Sequence, residues 1–212
     1  MNGKVLAIVV GALFLVGIIA ILITKFGAKN STSPASSTFP ADSQASESSQ
    51  ASNSAEGNNM DSNAPFKILS GSEIEDKKVL IVTPKGNIEI ELFAQAPIAS
   101  SNFISLISKK FYDGLTFHRR VEGCVIQGGD PSGNGTGGPG YNFKDELVTK
   151  DYKRGIVAMA NSGPNTNGSQ FFIMLADNPL PKQYTIFGQV LTGMEVVDKI
   201  QIGDKMTSVS LK

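Results

Sequence analysis

The sequence predicts a mainly β domain, a barrel or sandwich of short strands capped by two helices, set behind an apolar N-terminal run and a polar spacer. Three observations carry that expectation. From Lys77 onward, short β-rich runs follow one another with turn residues between them. Only two stretches in the same region space their apolar residues as a helix does. Ahead of it, residues 30–64 hold almost no large apolar side chains, so they contribute nothing to a core.

The chain of 212 residues begins with the run Val5–Ile23, which carries no charge. Its length is close to the roughly 20 residues that cross a hydrocarbon core of about 30 Å. The run is longer than the apolar part of a cleaved signal peptide, and Thr24-Lys25-Phe26-Gly27-Ala28 makes a poor cleavage site. No Cys follows it for lipid attachment. Residues 1–29 are therefore expected to form a single-pass transmembrane anchor. Lys25 and Lys29 behind the run, against Lys4 ahead of it, favour a cytoplasmic C-terminal side. The short basic N-tail and the Ser-rich stretch that follows point the other way, and the expectation adopted is an extracytoplasmic module. Residues 30–64, about one-third Ser, read as a disordered tether.

Residues 65–212 form the predicted folded domain, long enough for one core of ordinary size. Lys78–Thr83 and Asn87–Phe93 read as strands joined by a turn at Pro84-Lys85-Gly86. In the second, Ile88, Ile90 and Leu92 alternate with Glu89 and Glu91, as in a sheet with one wet face. A helix follows, with Pro97 near its start and Phe103, Leu106 and Ile107 on one side. Further strands are expected at Leu115–Arg119, Cys124–Gln127, Gly155–Ala160, Gln170–Leu175 and Thr185–Val190. A second helix fits Gly193–Ile200, through Met194, Val197 and Ile200. A short strand around Thr207–Leu211 ends the chain.

Charge and side-chain inventory exclude several functions. Over residues 65–212 there are 13 Lys and 3 Arg against 15 Asp plus Glu, a net of +1. Such a balance gives no long-range field for phosphate backbones, so no nucleic-acid partner is expected. One cysteine, Cys124, and one histidine, His118, preclude an intramolecular disulfide and a closed Cys/His zinc site. Neither a metal nor a cofactor is expected. Gly133-x-Gly135-x-x-Gly138 matches the dinucleotide fingerprint in letters only, because no βαβ pattern surrounds it. Asn134-Gly135 and Asn167-Gly168 read as tight turns. Asp145-Glu146 reads as a water-facing pair on a loop.

Two segments carry the chemistry: Phe117-His-Arg-Arg-Val-Glu-Gly-Cys-Val-Ile-Gln-Gly-Gly-Asp130 and Met159-Ala-Asn-Ser-Gly-Pro-Asn-Thr-Asn-Gly-Ser-Gln-Phe-Phe172. Both resemble the signature segments of the cyclophilin family. Gly135–Glu146 is similar to the loop of its short bacterial-type members, and Tyr184–Val190 to the strand after its active-site loop. The resemblance implies an eight-stranded antiparallel barrel capped by two helices, and peptidyl-prolyl cis–trans isomerase activity on exposed X–Pro bonds of polypeptides. It implies no cofactor, and the domain is expected to be monomeric.

Residue by residue, the resemblance makes Arg119 the catalytic arginine and Gln127 the glutamine that orients it and binds substrate backbone. Ala160, Asn161 and Gln170 match positions that hold the peptide around proline. Phe172 matches the floor of the proline pocket, with Leu180 and Val125 on its walls and Tyr184 among the substrate-binding residues; Met159 is expected in the core. His118 is expected to be structural, because amide rotation transfers no proton, and Arg120 to be solvated. Cys124 stands where most members place a phenylalanine of the pocket, and reads as an inert small hydrophobe. The absence of Trp, the short Asp177–Gln183 loop and Tyr184 at what is often a histidine position imply weak cyclosporin sensitivity. Cys124 also supports a rival reading, a catalytically weak module that binds proline peptides.

Overall fold

Alternation places the first two strands. In β1 (Lys78–Thr83) and β2 (Gly86–Leu92), Val79, Ile81, Ile88, Ile90 and Leu92 point into the core, while Glu89 and Glu91 stay partly exposed. Thr83 pairs with Gly86, so Pro84 and Lys85 form a two-residue turn. These coordinates are a computed structural model that describes residues 64–212. The predicted anchor, and the predicted tether up to residue 63, lie outside the described residues. No helix among the described residues is long and apolar enough to cross a membrane.

Six more strands follow: β3 (Phe117–Val121), β4 (Val125–Gly128), β5 (Ile156–Met159), β6 (Phe171–Met174), β7 (Ile186–Thr192) and β8 (Ser208–Leu211). All pairings are antiparallel, in the order β3-β4-β6-β5-β7-β2-β1-β8. The sheet curls until its ends meet. Thr116 bridges Lys205, and backbone bonds run from Gly114 N to Met206 O, Phe117 N to Asp204 O and Gly203 N to Phe117 O. An eight-stranded sheet closed this way leaves little free edge. The predicted strands are thus present, each within two residues of its expected limits.

Among the described residues three helices accompany the sheet, where two are expected for the domain. α1 (Gly71–Ile74) is a single turn, opened by a capping box in which Ser70 accepts from Glu73 N and Glu73 accepts from Ser70 N. α2 (Pro97–Ser108) starts on proline and buries Phe103, Leu106 and Ile107, as its spacing predicts. α3 (Met194–Val197) is shorter than the predicted Gly193–Ile200. Beyond it the spacing is mixed: Lys199 N bonds Val196 O three residues back, and Ile200 N is shared between Val196 O and Val197 O at 3.2 Å each.

β5 and β6 are buried at every position. Their alternate residues feed two separate apolar clusters. Val157, Met159, Phe171 and Ile173 join the main core against Phe103 and Phe187. Ile156, Ala158, Phe172 and Met174 face the other way, with Val125, Ile186, Tyr152 and Phe93. Met159 is core, as expected. The second cluster positions the site.

Candidate functional site: an arginine beside an aromatic pocket

A bulge in β3 aims its side chains. Phe117 pairs with Gly128 and the next pairing is Arg119 with Gln127, so His118 is the extra residue. Phe117 turns inward, and Arg119 emerges exposed beside Gln127. Arg119 Nη1 donates to Gln127 Oε1 at 3.1 Å, and Gln127 Nε2 donates to Gln170 Oε1 at 2.9 Å. Gln170 Nε2 in turn donates to Gly135 O and Gly137 O, both at 2.9 Å. Because the last amide must donate to two carbonyls, its oxygen faces Gln127, and Gln127 in turn presents its own oxygen to Arg119. The chain of amides thus fixes the guanidinium from one side.

The loop at the far end of that chain is itself built on Asp130. This carboxylate is 1% exposed and accepts from Ser132 N at 2.7 Å, Asn134 N at 2.9 Å and Gly135 N at 2.5 Å. Burial pushes its pKa up, but the three backbone donors together outweigh that and hold it below the usual value. A Cβ at Gly137 would lie 2.1 Å from Asp130 Oδ1, so glycine is required there.

Phe172, in the second cluster, is 5% exposed. Tyr184 meets it edge-on, with centroids 5.6 Å apart at 86°. Val125 is buried beside it, and Cys124, Ala160, Leu180 and Tyr184 pack partly buried on the same cluster. The predicted site residues of strands β3, β4 and β6 and of the 176–184 loop therefore meet on one face. Ala160 N bonds Gln170 O, joining the pocket rim to the amide chain. Asn161 Nδ2 donates to Gln183 O at 2.9 Å and makes longer 3.4 Å contacts with Asp145 and Asn167.

Several expectations are corrected. Arg120 is packed, not solvated: its side chain is 11% exposed, chelates Glu122 and donates to Ile200 O at 2.9 Å. Asp145-Glu146 does not face water as a pair. Asp145 accepts from Asn165 N and Asn167 Nδ2 and so staples the 161–167 loop. Glu146 caps α2, accepting from Ile98 N and Ala99 N at 2.8 Å each. Burial raises its pKa, against those two donors. Asp145, Glu146 and Tyr152 escape sequence reasoning because their partners are remote in the chain. Asp130, whose donors follow within five residues, and the α1 box, Ser70-x-x-Glu73, carry local signals.

His118 has both ring nitrogens shielded and without a hydrogen-bond partner among the described residues. Burial lowers its pKa; Asp130 pulls it up, Arg119 pushes it down, and the nearby Gln170 amide slightly favours the charged ring. Burial likewise raises the Cys124 thiol above its ordinary value, with Arg119 opposing. Nothing in that setting generates a thiolate nucleophile. Among the described residues no group of three His, Cys, Asp or Glu side chains is placed to hold a metal.

Comparison with known proteins agrees with this geometry. Residues 78–211 match the family model described as cyclophilin type peptidyl-prolyl cis-trans isomerase. A peptidyl-prolyl cis-trans isomerase of Helicobacter pylori is 44% identical over 156 residues, covering 71% of this chain and 96% of that protein. The human peptidyl-prolyl cis-trans isomerase-like 3 is 44% identical over 130 residues, covering 58% of this chain and 81% of its own. A crystal structure of a Cryptosporidium parvum cyclophilin type isomerase superposes with a TM-score of 0.60 at 36% identity, covering 64% of this chain and 97% of that one. The same protein, solved in the presence of the dipeptide Ala-Pro, gives a TM-score of 0.60 at 35% identity and covers 98% of its chain. The chain belongs to the cyclophilin-type peptidyl-prolyl cis–trans isomerase family, and it is an isomerase of that type.

Proposed function

We propose that this isomerase seats the proline ring of a polypeptide on Phe172 and lowers the rotation barrier with Arg119. The X–Pro bond resists rotation because resonance stiffens it, with a barrier of roughly 18–20 kcal/mol. Twisting the bond pyramidalises the nitrogen and frees its lone pair. A fixed cation with directed N–H donors interacts better with that twisted amide than with the planar one, which is the condition for catalysis. No nucleophile and no proton transfer are needed. Gln127 holds Arg119 and binds substrate backbone, while Ala160, Asn161 and Gln170 hold the peptide around the proline. Val125, Cys124, Leu180 and Tyr184 wall the pocket.

The observation that carries this reading is the Arg119–Gln127–Gln170 chain running along the edge of the Phe172 pocket. The Ala-Pro dipeptide present with the Cryptosporidium relative supports proline-containing peptides as the ligand class. Cys124 favours a second reading, a weak proline-peptide binder, since a small side chain at the wall costs about 1–3 kcal/mol of apolar contact. One experiment separates them: isomerisation of an Xaa-Pro peptide by the wild type, Arg119→Ala and Cys124→Phe. Turnover that falls about 10²–10³-fold in Arg119→Ala, the loss typical of removing a transition-state donor, supports the enzyme. Absence of turnover until Cys124→Phe restores it supports the binder.

We further propose that Val5–Ile23 anchors the chain in a membrane, that the Ser-rich segment tethers it, and that the isomerase acts outside the cytoplasm on proteins folding nearby. The support is the uncharged length of the run and the composition that follows. Fractionation and protease protection of the full chain test this. Recovery in the soluble fraction, or protection of the module inside sealed cells stripped of their outer layers, defeats the respective half of it.

A further inference from the structure

Leu180 and Tyr184 sit on the segment 176–184, an excursion between β6 and β7. This segment does not rest on solid core. A cleft of about 310 Å³ opens between it and residues 151–153, with Tyr152 on one side and Asn178, Pro179 and Leu180 on the other. A wall propped beside a void takes its position from its ties rather than from close packing.

Those ties converge on Tyr152, which is 2% exposed. Its Oη donates to Tyr184 O at 2.9 Å and accepts from Tyr184 N at 3.1 Å, so one hydroxyl satisfies both backbone groups of a single residue. Its own carbonyl accepts from Asn178 N at 3.1 Å, near the other end of the segment. Its ring lies 6.5 Å from Phe172 and 6.4 Å from Tyr184, with Lys182 Nζ 5.9 Å from its centroid. Arg154 N to Asp177 and Asn178 Nδ2 to Gly123 O add two ties at the segment's start. Asn161 Nδ2 to Gln183 O at 2.9 Å and Lys182 Nζ to Lys150 O hold its later part from other sides. The ion pairs Lys182–Asp151 at 2.9 Å and Lys153–Asp177 at 3.2 Å are exposed, of a kind worth little in water.

We propose that Tyr152 is a positioning residue for the isomerase: its hydroxyl clamps Tyr184, and through the segment Leu180, against Phe172, and so supplies from one side the closure that Cys124 leaves open on the other. The inference rests on the reading of the Phe172 pocket as the proline site. Tyr152 belongs to neither the amide chain nor the guanidinium, so it shapes binding rather than barrier. A wall present equally in ground and transition states contributes uniform binding, and loosening it raises KM while kcat holds.

The test compares the full chain with Tyr152→Phe, which keeps the ring and removes the clamp. Lys182→Met, which removes an exposed tie of the same segment, guards against a folding defect in the first variant. The expected result is a KM for an Xaa-Pro peptide raised about 3–10-fold in Tyr152→Phe with kcat within twofold, faster hydrogen exchange at the Tyr184 amide, and a smaller KM rise in Lys182→Met. Unchanged KM in both variants overturns the proposal while leaving the isomerase reading intact. A fall in kcat with KM unchanged also overturns it, since that is a lost fraction of folded or competent enzyme. Should the wild type show no turnover, the isomerase reading fails. The dissociation constant of the peptide then decides: weaker in Tyr152→Phe upholds the clamp, and equal in both rejects it.

Discussion

His118 and Arg119 are neighbours in sequence, yet the β3 bulge gives them opposite fates. Arg119 emerges exposed beside Gln127, whereas His118 is turned where burial lowers its pKa. Asp130 and Gln170 favour its charged form, and burial and Arg119 together outweigh them. Its folded pKa lies below the unfolded value near 6.5, so the unfolded state binds more protons in the window just beneath that pH. The associated stability is complete above pH 6.5 and is lost as pH falls through the folded pKa. Glu146, raised by burial, acts with the opposite sign above pH 4.5, favouring the folded state less as pH rises. The difference between wild type and His118→Gln isolates the histidine. The urea midpoint of wild type should fall from pH 6.5 to 5 more steeply than that of the variant. Meanwhile kcat/KM should stay level from pH 7 to 9, because rotation moves no proton and a guanidinium keeps its charge. A bell-shaped activity profile in that range would contradict the mechanism.

At the scale of elements, α2 shows what a linear reading leaves out. Its proline start and its apolar face of Phe103, Leu106 and Ile107 were both legible. Its N-cap was not. Ala96 supplies no side-chain acceptor, and the cap arrives as Glu146 from a loop 48 residues away from Ile98. Two free N–H groups at a half-buried helix start are costly, and a carboxylate there also suits the helix dipole. Glu146→Ala should therefore lower unfolding free energy by about 1–3 kcal/mol, read as a shift of the urea midpoint without a change of slope. Glu146→Gln, which keeps an acceptor, should lose less. Equal loss in both would mean that charge rather than acceptance matters. α1 is the reverse case, since Ser70-x-x-Glu73 spells out its capping box locally. α3 falls short of its spacing because its second turn mixes three- and four-residue bonds, with Ile200 N shared between two carbonyls.

For the whole molecule, the closed sheet explains both what was readable and what was not. β2 betrays itself by alternation because one of its faces is wet; β5 and β6 do not, because each face meets a different apolar cluster. Phe172 and Phe171 are indistinguishable by pattern, and only the likeness to family signatures assigns Phe172 to the proposed pocket and leaves Phe171 to the core. Arg119, Gln127 and Gln170 were found the same way, while the Tyr152 and Asp145 ties required three dimensions. The seam makes a last prediction. β8 covers β1 through four residue pairs, buries Val209 at 4% exposure, and lets Val209 N bond Asp113 Oδ1 at 2.8 Å. A chain ending at Met206 keeps the bonds between residues 203–206 and 114–117 but strips β8 from β1. The exposed edge would carry Val79, Ile81 and Val82, a template for pairing with other chains. Losing one buried aliphatic side chain already costs several kcal/mol, and a domain holds only about 5–15 in reserve. The truncated chain should aggregate or lose its cooperative urea transition, whereas a chain ending at Leu211 gives up only the Lys212 N to Lys78 O bond and the exposed Lys212–Glu89 pair and should keep a cooperative transition and full turnover. A sharp transition with full isomerisation from the chain ending at Met206 would show that the barrel is held by its core and its 114–117 seam alone.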